Sequence, residues 1–114
     1  MKIAVLHEPL TQTGLNDWGA PEQMLDGNSH TQGVLLHKGE GGASECGYWE
    51  CTPGHWRCEV TRDEFCHFLE GEANYEDDDG EVTVVRPDTA AFFPAGWKGS
   101  CRVTKTLKKV YMIR

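Results

Sequence analysis

Glu64 sits in the run HWRCEVTRDEFCHFLEG, residues 55–71, which closes on a glycine. Cys58, Cys66, His55 and His67 all lie within nine residues of it. Carboxylate, thiolate and imidazole are the donors from which zinc and iron(II) sites are built, three or more at a time. Strand alternation tests this grouping, because alternate side chains along a strand share a face. Glu64, Cys66 and Phe68 then share one face, and Phe65, His67 and Leu69 the other. On the preceding strand Arg57, Glu59 and Thr61 oppose Trp56, Cys58 and Val60. The apparent cluster splits, and the expected polar surface is Arg57, Glu59, Glu64 and Cys66, with His67 turned away.

That set can work without metal. Arg57 can hold a carboxylate or phosphate in a two-pronged grip. It can also neutralise Glu59 or Glu64, whose burial would otherwise be costly. Glu64, partly desolvated, is expected to have a raised pKa and to serve as acid or base. Cys66 becomes a nucleophile only if its thiolate is stabilised; with no basic partner on its face it reads as a neutral packed thiol. Lys109 and Tyr111 share a face on the last strand. Tyr111 either offers its hydroxyl to a pocket or fills the core with its hydroxyl on a backbone partner. Trp49, Trp56, Trp97, Phe92 and Phe93 read as core or pocket wall. His7, His30, His37 and His55 stand singly, and no spacing recommends pairing His37 with His55 or Glu50.

These residues need a scaffold, and its kind is legible. The chain has 114 residues, enough for one domain with one core. From Gly33 onward short apolar-alternating runs are separated by turn signals: GVLLHK, ECGYWEC, WRCEV, EFCHFLEGEANY, EVTVV, AAFFPAG, SCRVTK and LKKVYMIR. Regular short strands of this kind predict an all-β sandwich or small barrel. Residues 1–32 read as an N-terminal arm, rich in turn residues, with a short strand at Lys2–His7 and one helical turn at APEQML beginning near Pro21. Asp79-Gly80 predicts a tight hairpin turn. EDDDGE is not a calcium loop, because aligning Gly80 at loop position 6 puts Tyr75 and Arg86 where acids are needed.

Net charge is −7, which disfavours nucleic acid and anionic membrane surfaces as partners. The charge is uneven: residues 1–85 carry 17 acidic and 4 basic side chains, residues 86–114 carry 1 and 7. Basic C-terminal strands lying beside acidic ones, within the chain or across a dimer, account for this better than a phosphate-binding tail. The five cysteines, an odd count without a secretory signal, imply reduced thiols and a cytoplasmic protein.

GYWECTPGHWR, DEFCHFLEGE, FFPAGWKGS and LKKVY, in that order, resemble the small single-domain cupins (RmlC-like). The resemblance is closest to the subgroup related to ethanolamine-utilisation and (S)-ureidoglycine aminohydrolase cupin domains, and covers residues 33–114. It implies a double-stranded β-helix, the cupin jelly roll, enclosing a small-molecule pocket, with the N-terminal extension outside it. Metal-binding cupins carry G-x5-H-x-H-x3-4-E-x6-G and then G-x5-P-x-G-x2-H-x3-N. Glu64 falls on the motif glutamate, Gly71 on its closing glycine, and Pro94 and Gly96 match the second motif. The histidine positions fall on Arg57 and Glu59, or with the shorter spacing on Cys58 and Val60. In the second motif Asp88 replaces the glycine, Gly99 the histidine and Val103 the asparagine.

Three of the four usual ligands are thus absent, and no cofactor is predicted. A transition metal, if one binds, would have to use Glu64 and Cys66. The leading expectation is a cupin that binds a small polar or anionic metabolite, as a metal-independent enzyme if it is one. Glu64, Arg57 and Tyr111 are the candidate catalytic groups, and Glu59, Cys66, Phe68, Lys109 and Trp97 the candidate pocket. The alternatives are a metalloenzyme with an unusual ligand set around Glu64 and a catalytically silent dimeric module. A homodimer is expected, with the arm placed to cover a neighbour's strand edge.

Overall fold

The longest strand is built from the C-terminal run in which the odd residues are apolar or small except Lys105, which is exposed, and Lys109, which is buried. In the computed structural model, which describes residues 1–114, the runs SCRVTK and LKKVYMIR form one strand, β9, Lys98–Ile113. It is the spine of the molecule. Along one edge it pairs antiparallel first with β5 (Gly54–Glu59) and then with β4 (Glu45–Cys51). Along the other it pairs with the long β6 (Glu64–Asp77) from Glu64↔Ile113 to Asp77↔Gly99. β6 in turn carries β8 (Thr89–Phe93) and β7 (Val82–Val85) on its far edge. β3 (Thr31–Lys38) extends the sheet beyond β4. The strands curl into an all-β jelly roll.

The expected fusion of charge within the chain is visible in this pairing. Glu70 stands opposite Lys108 and Glu72 opposite Lys105, with ion pairs of 3.3 and 3.1 Å. The basic strand lies between acidic neighbours of the same chain.

A change of phase in β6 lets one strand serve the interior along its whole length. Cys66 and Phe68 point inward in its first half, and Ala73 and Tyr75 in its second. An uninterrupted strand cannot bury even residues and then odd ones. Register shifts between Phe68 and Ala73 make the switch, and Gly71 sits in them with φ 95°. A Cβ on Gly71 would run into the Thr106 carbonyl and stand 2.7 Å from Leu107 Cα. The glycine that closes the motif is thus required by a bulge. Inside, Phe68, Leu107, Val85, Cys51, Cys66 and Cys101 are fully buried. Tyr75 packs on Phe93 with centroids 4.9 Å apart, and Trp97 closes on both.

The arm differs from its reading. Lys2–His7 forms no strand, and APEQML forms no helical turn. Instead β1 (Asn16–Gly19) pairs with β3, and β2 (Met24–Asp26) pairs with β5. β3 begins at Thr31, two residues before the expected start of the barrel at Gly33. Propensity favoured a turn at Pro21, but two open strand edges on the barrel capture the chain on either side of it. Asp79-Gly80 is the turn between β6 and β7, closed by the Gly80 N–H on the Asp77 carbonyl at 3.0 Å.

Candidate functional site

The inward odd residues of β9 and inward even residues of β6 meet at one end of the barrel. There Lys109 Nζ donates to Glu64 Oε2 at 2.7 Å. Lys109 is 9% exposed and Glu64 is largely covered. The ammonium also lies 4.5 Å from the centroid of the Trp49 ring and 5.8 Å from those of Phe68 and Tyr111. Ring quadrupole and carboxylate together compensate the lost hydration of the lysine.

Electrostatics here is set by that pair. Burial alone would raise the Glu64 pKa, but the charge and hydrogen bond of Lys109 outweigh it and hold the carboxyl below its ordinary value. The expected raised pKa is therefore corrected: Lys109, on a strand more than forty residues away, reaches a carboxylate that had been read beside Arg57. Burial would lower the Lys109 pKa, but the charge and hydrogen bond of Glu64, together with Cys66 and Cys58, outweigh it, so the ammonium is held charged. Cys66 Sγ donates to the same Glu64 oxygen at 3.2 Å. Burial pushes its pKa up to about 12, and that of Cys58 to about 11, despite the nearby lysine. Both are neutral thiols near neutral pH.

Tyr111 follows Lys109 on the inward face. Its hydroxyl donates to Glu45 Oε2 at 3.3 Å, and burial first, then Glu45, raise its pKa to about 12. Its ring belongs to the core cluster and also lines the cavity, and its hydroxyl has a side-chain partner rather than a backbone one. Gly47 makes room for it: the two residues are cross-strand partners, and a Cβ on Gly47 would stand 3.1 Å from the hydroxyl.

Above these groups lies an open cavity of about 580 Å³. Its deep wall is Trp49, Trp56, Cys58, Glu64, Lys109 and Tyr111. Tyr75 and Phe93 underlie it from the core. Glu45 and Ile113 line one side. The arm forms the other, with Trp18 and the segment 20–23 between β1 and β2.

Arg57 and Glu59 reach the cavity only at its rim. The inward residues of β5 are Trp56, opposite buried Cys101, and Cys58. Arg57 instead forks onto Asp78, with Nη1 and Nη2 at 2.6 and 2.9 Å from its two oxygens, and lies 3.8 Å from Glu59. It makes no pair with Glu64. Alternation within one strand cannot fix its phase against another strand; β9 does that here, and the larger apolar surface of Trp56 takes the inside. Phe68 and Cys66 lie beneath the ion pair, fully buried. Trp97 packs edge-on against Phe93 and Tyr75 and does not line the cavity. His67 faces out and pairs with Asp88 at 2.8 Å.

The cavity also uses residues that sequence reasoning passed over. Glu45 shares the parity of Trp49 on β4, which was signal enough. Trp18, Glu22 and Gln23 carried none, because the arm has no periodicity.

The sequence matches the model of the EutQ-like cupin domain over residues 38–111. The chain belongs to the EutQ-like cupins. The ethanolamine utilisation protein EutQ of Salmonella typhimurium, described as putative in that role, superposes with a TM-score of 0.64 at 18% identity, over 74% of this chain and 68% of that one. EutQ of Clostridium difficile gives 0.65 at 19%, over 75% and 68%. A DUF861 protein of unknown function from Pseudomonas syringae pv. tomato gives 0.80 at 17%, over 90% of this chain. This cupin spans only 45% of that protein's length. No curated protein matches the sequence. At these identities the solved structures establish the jelly roll alone.

Many cupins hold a transition metal at this end of the barrel, so the donor set matters. Lys109 and Cys66 both bond Oε2 of Glu64, and the Lys109 ammonium places a fixed positive charge 2.7 Å from that oxygen, where a metal ion would bring a second. No group of three histidine, cysteine, aspartate or glutamate side chains converges anywhere in the chain. These residues do not fit a transition metal. None of the helices is long and apolar enough to cross a membrane.

Proposed function

We propose that this cupin binds a small organic molecule in the cavity between barrel and arm, anchored at its floor by the Lys109–Glu64 pair. The observation that carries the reading is the cavity of about 580 Å³ ending on a buried, mutually neutralised ion pair. Its size is that of metabolite sites, and a mostly apolar wall with few fixed polar groups is their usual chemistry. Lys109 offers hydrogens, Glu64 and Glu45 offer lone pairs, and Tyr111 offers a hydroxyl.

The same groups favour binding over proton transfer. A general acid or base works best with a pKa near the working pH. Lys109, Tyr111, Cys58 and Cys66 are all raised and Glu64 is lowered, so each is driven away from neutrality. No histidine lines the cavity.

Thermal denaturation of the full chain against a metabolite collection tests the reading. A ligand at a hundredfold excess over its Kd adds about 2.7 kcal/mol of stability. That gain is expected in wild type and lost in Cys58→Phe, which fills the cavity without adding charge. A ligand that stabilises both proteins equally binds elsewhere and counts against the site.

A second reading, a homodimer, is favoured by one surface. Phe92, Phe65 and Met112 are register partners on β8, β6 and β9 and are 61, 51 and 49% exposed. Three such side chains in a row make an apolar stripe suited to a second copy. Light scattering of wild type and Phe65→Glu tests it: a dimer that dissociates on substitution supports the stripe, and a wild-type monomer removes it.

A further inference from the structure

The cavity has two cations in its wall, and both are committed. Lys109 is held by Glu64 at 2.7 Å. Arg57 is forked onto Asp78, which lies outside the cavity, at 2.6 and 2.9 Å. Each has its charge matched by a carboxylate already, so neither leaves a net positive charge for an anion. Three further carboxylates line the space: Glu22 from the arm, Glu45 from β4 and Glu59 from β5. Their existing partners are weak. Arg57 Nε is 3.8 Å from Glu59, and Arg62 Nη1 is 4.0 Å from Glu45 while its other nitrogen donates to the Gly42 carbonyl at 2.8 Å. Glu45 also accepts the Tyr111 hydroxyl. The wall therefore carries a surplus of negative charge over a lining rich in tryptophan and tyrosine.

The barrel's own chemistry indicates what such a lining holds. Lys109 is a primary ammonium lodged between a carboxylate and the face of Trp49, nine-tenths buried and still charged. Ring faces and carboxylates are the two environments that replace an ammonium's hydration most effectively. Trp18 and Trp56 offer further ring surface to the same space, beside carboxylates not fully paired.

We infer that the occupant of this cavity is a small organic ammonium ion, its charge directed to Glu45 and Glu59 and its carbon skeleton packed on the tryptophan wall. The inference rests on the proposed binding function and narrows it. It also reverses the expectation of an anionic metabolite: the arginine on which that depended is spent on Asp78.

Three matched probes test it on the full chain by isothermal titration: phenethylammonium, 2-phenylethanol and phenylacetate. They share a skeleton and differ in charge. The ammonium is expected to bind about tenfold or more tighter than the alcohol, and phenylacetate weakest, with the ammonium's advantage shrinking as salt rises. Glu45→Gln combined with Glu59→Gln keeps volume and hydrogen-bonding capacity. It should bring the ammonium down to the affinity of the alcohol and leave the alcohol unchanged. Phenylacetate binding as tightly as the ammonium, or an ammonium affinity indifferent to the paired substitution, overturns the inference and leaves the binding function standing. Failure of all three probes to bind at ~10 mM, a limit of roughly 3 kcal/mol, overturns the inference, while the binding function stands or falls on the metabolite collection.

Discussion

Lys109 Nζ and Glu64 Oε2, 2.7 Å apart, join the two longest strands of the barrel at the floor of its cavity. The pair stands where the family's motif puts a metal-ligating glutamate. A fixed ammonium there does two things a metal ion would also do: it neutralises the carboxylate and holds it in one orientation. It does so without offering an open coordination position. The floor of the cavity is thereby a binding surface with its charges already matched.

Removing one partner is expected to cost far more than removing both. Lys109→Met leaves Glu64 buried and unpaired, a loss of about 3–5 kcal/mol. Lys109→Met with Glu64→Leu removes both charges and should recover most of it, since a well-packed apolar pair often equals a buried ion pair. Urea unfolding of wild type, single and double variants gives the comparison. Equal losses in single and double variants would mean that packing, not charge, governs the site.

The pair also predicts a pH profile. Glu64 is held below its ordinary 4.5 in the folded state. Its contribution is complete above 4.5, declines below it, and is gone once pH passes the lower folded value. Lys109 is held above its ordinary 10.5, so its contribution is complete below 10.5 and is lost only on further rise. Stability owed to the pair is thus flat from 4.5 to 10.5. Subtracting the unfolding profile of the uncharged double variant from that of wild type isolates it. A slope between pH 5 and 8 in that difference would contradict the assignment.

Thiol chemistry gives an independent check on burial. Cys51, Cys66 and Cys101 are fully buried, and burial raises the pKa of each, as it does that of Cys58. Cys46 points outward from β4 and is partly exposed. An aromatic disulfide reagent at pH 8 should label Cys46 rapidly in the native protein, Cys58 slowly through the cavity it lines, and Cys51, Cys66 and Cys101 only on unfolding. Rapid native labelling of Cys66 would mean that a thiolate is stabilised beside Lys109 after all.

The jelly roll was legible because its signals are local: alternation within each run, glycine at Gly71 and Gly80, and phrases in a fixed order. The face shared by Glu64, Cys66 and Phe68 was legible for the same reason. The partner of Glu64 was not. Arg57 and Lys109 were both cations on strands of suitable parity, and only the register of β9 decides between them. Asp88 is instructive in the other direction. It stands where the family's motif has glycine, and its φ of 64° is left-handed, a conformation aspartate tolerates better than most residues. The departure from the motif kept the backbone and changed only the side chain, which now pairs with His67.

The arm supplies the last prediction. Trp18 lies on β1 outside the core and is 39% exposed, yet it lines the cavity. Gly33 on the paired strand β3 allows this, since a Cβ there would enter the Trp18 ring. The arm is tied down beside it by backbone and polar contacts: the Thr31 hydroxyl donates to the Gly19 carbonyl at 2.8 Å, and the Arg57 N–H to the Gln23 carbonyl at 2.9 Å. Trp18→Ala removes ring surface from the cavity and leaves those bonds in place. It should lower stability by no more than roughly 1 kcal/mol, as surface-side changes do. It should weaken a bound ligand by about tenfold, the worth of one ring contact. Leu107→Ala, from the fully buried core, is the control: about 2–5 kcal/mol of stability lost. If Trp18→Ala instead unfolds the protein as readily as Leu107→Ala, the arm is part of the structural core rather than a wall built for a ligand.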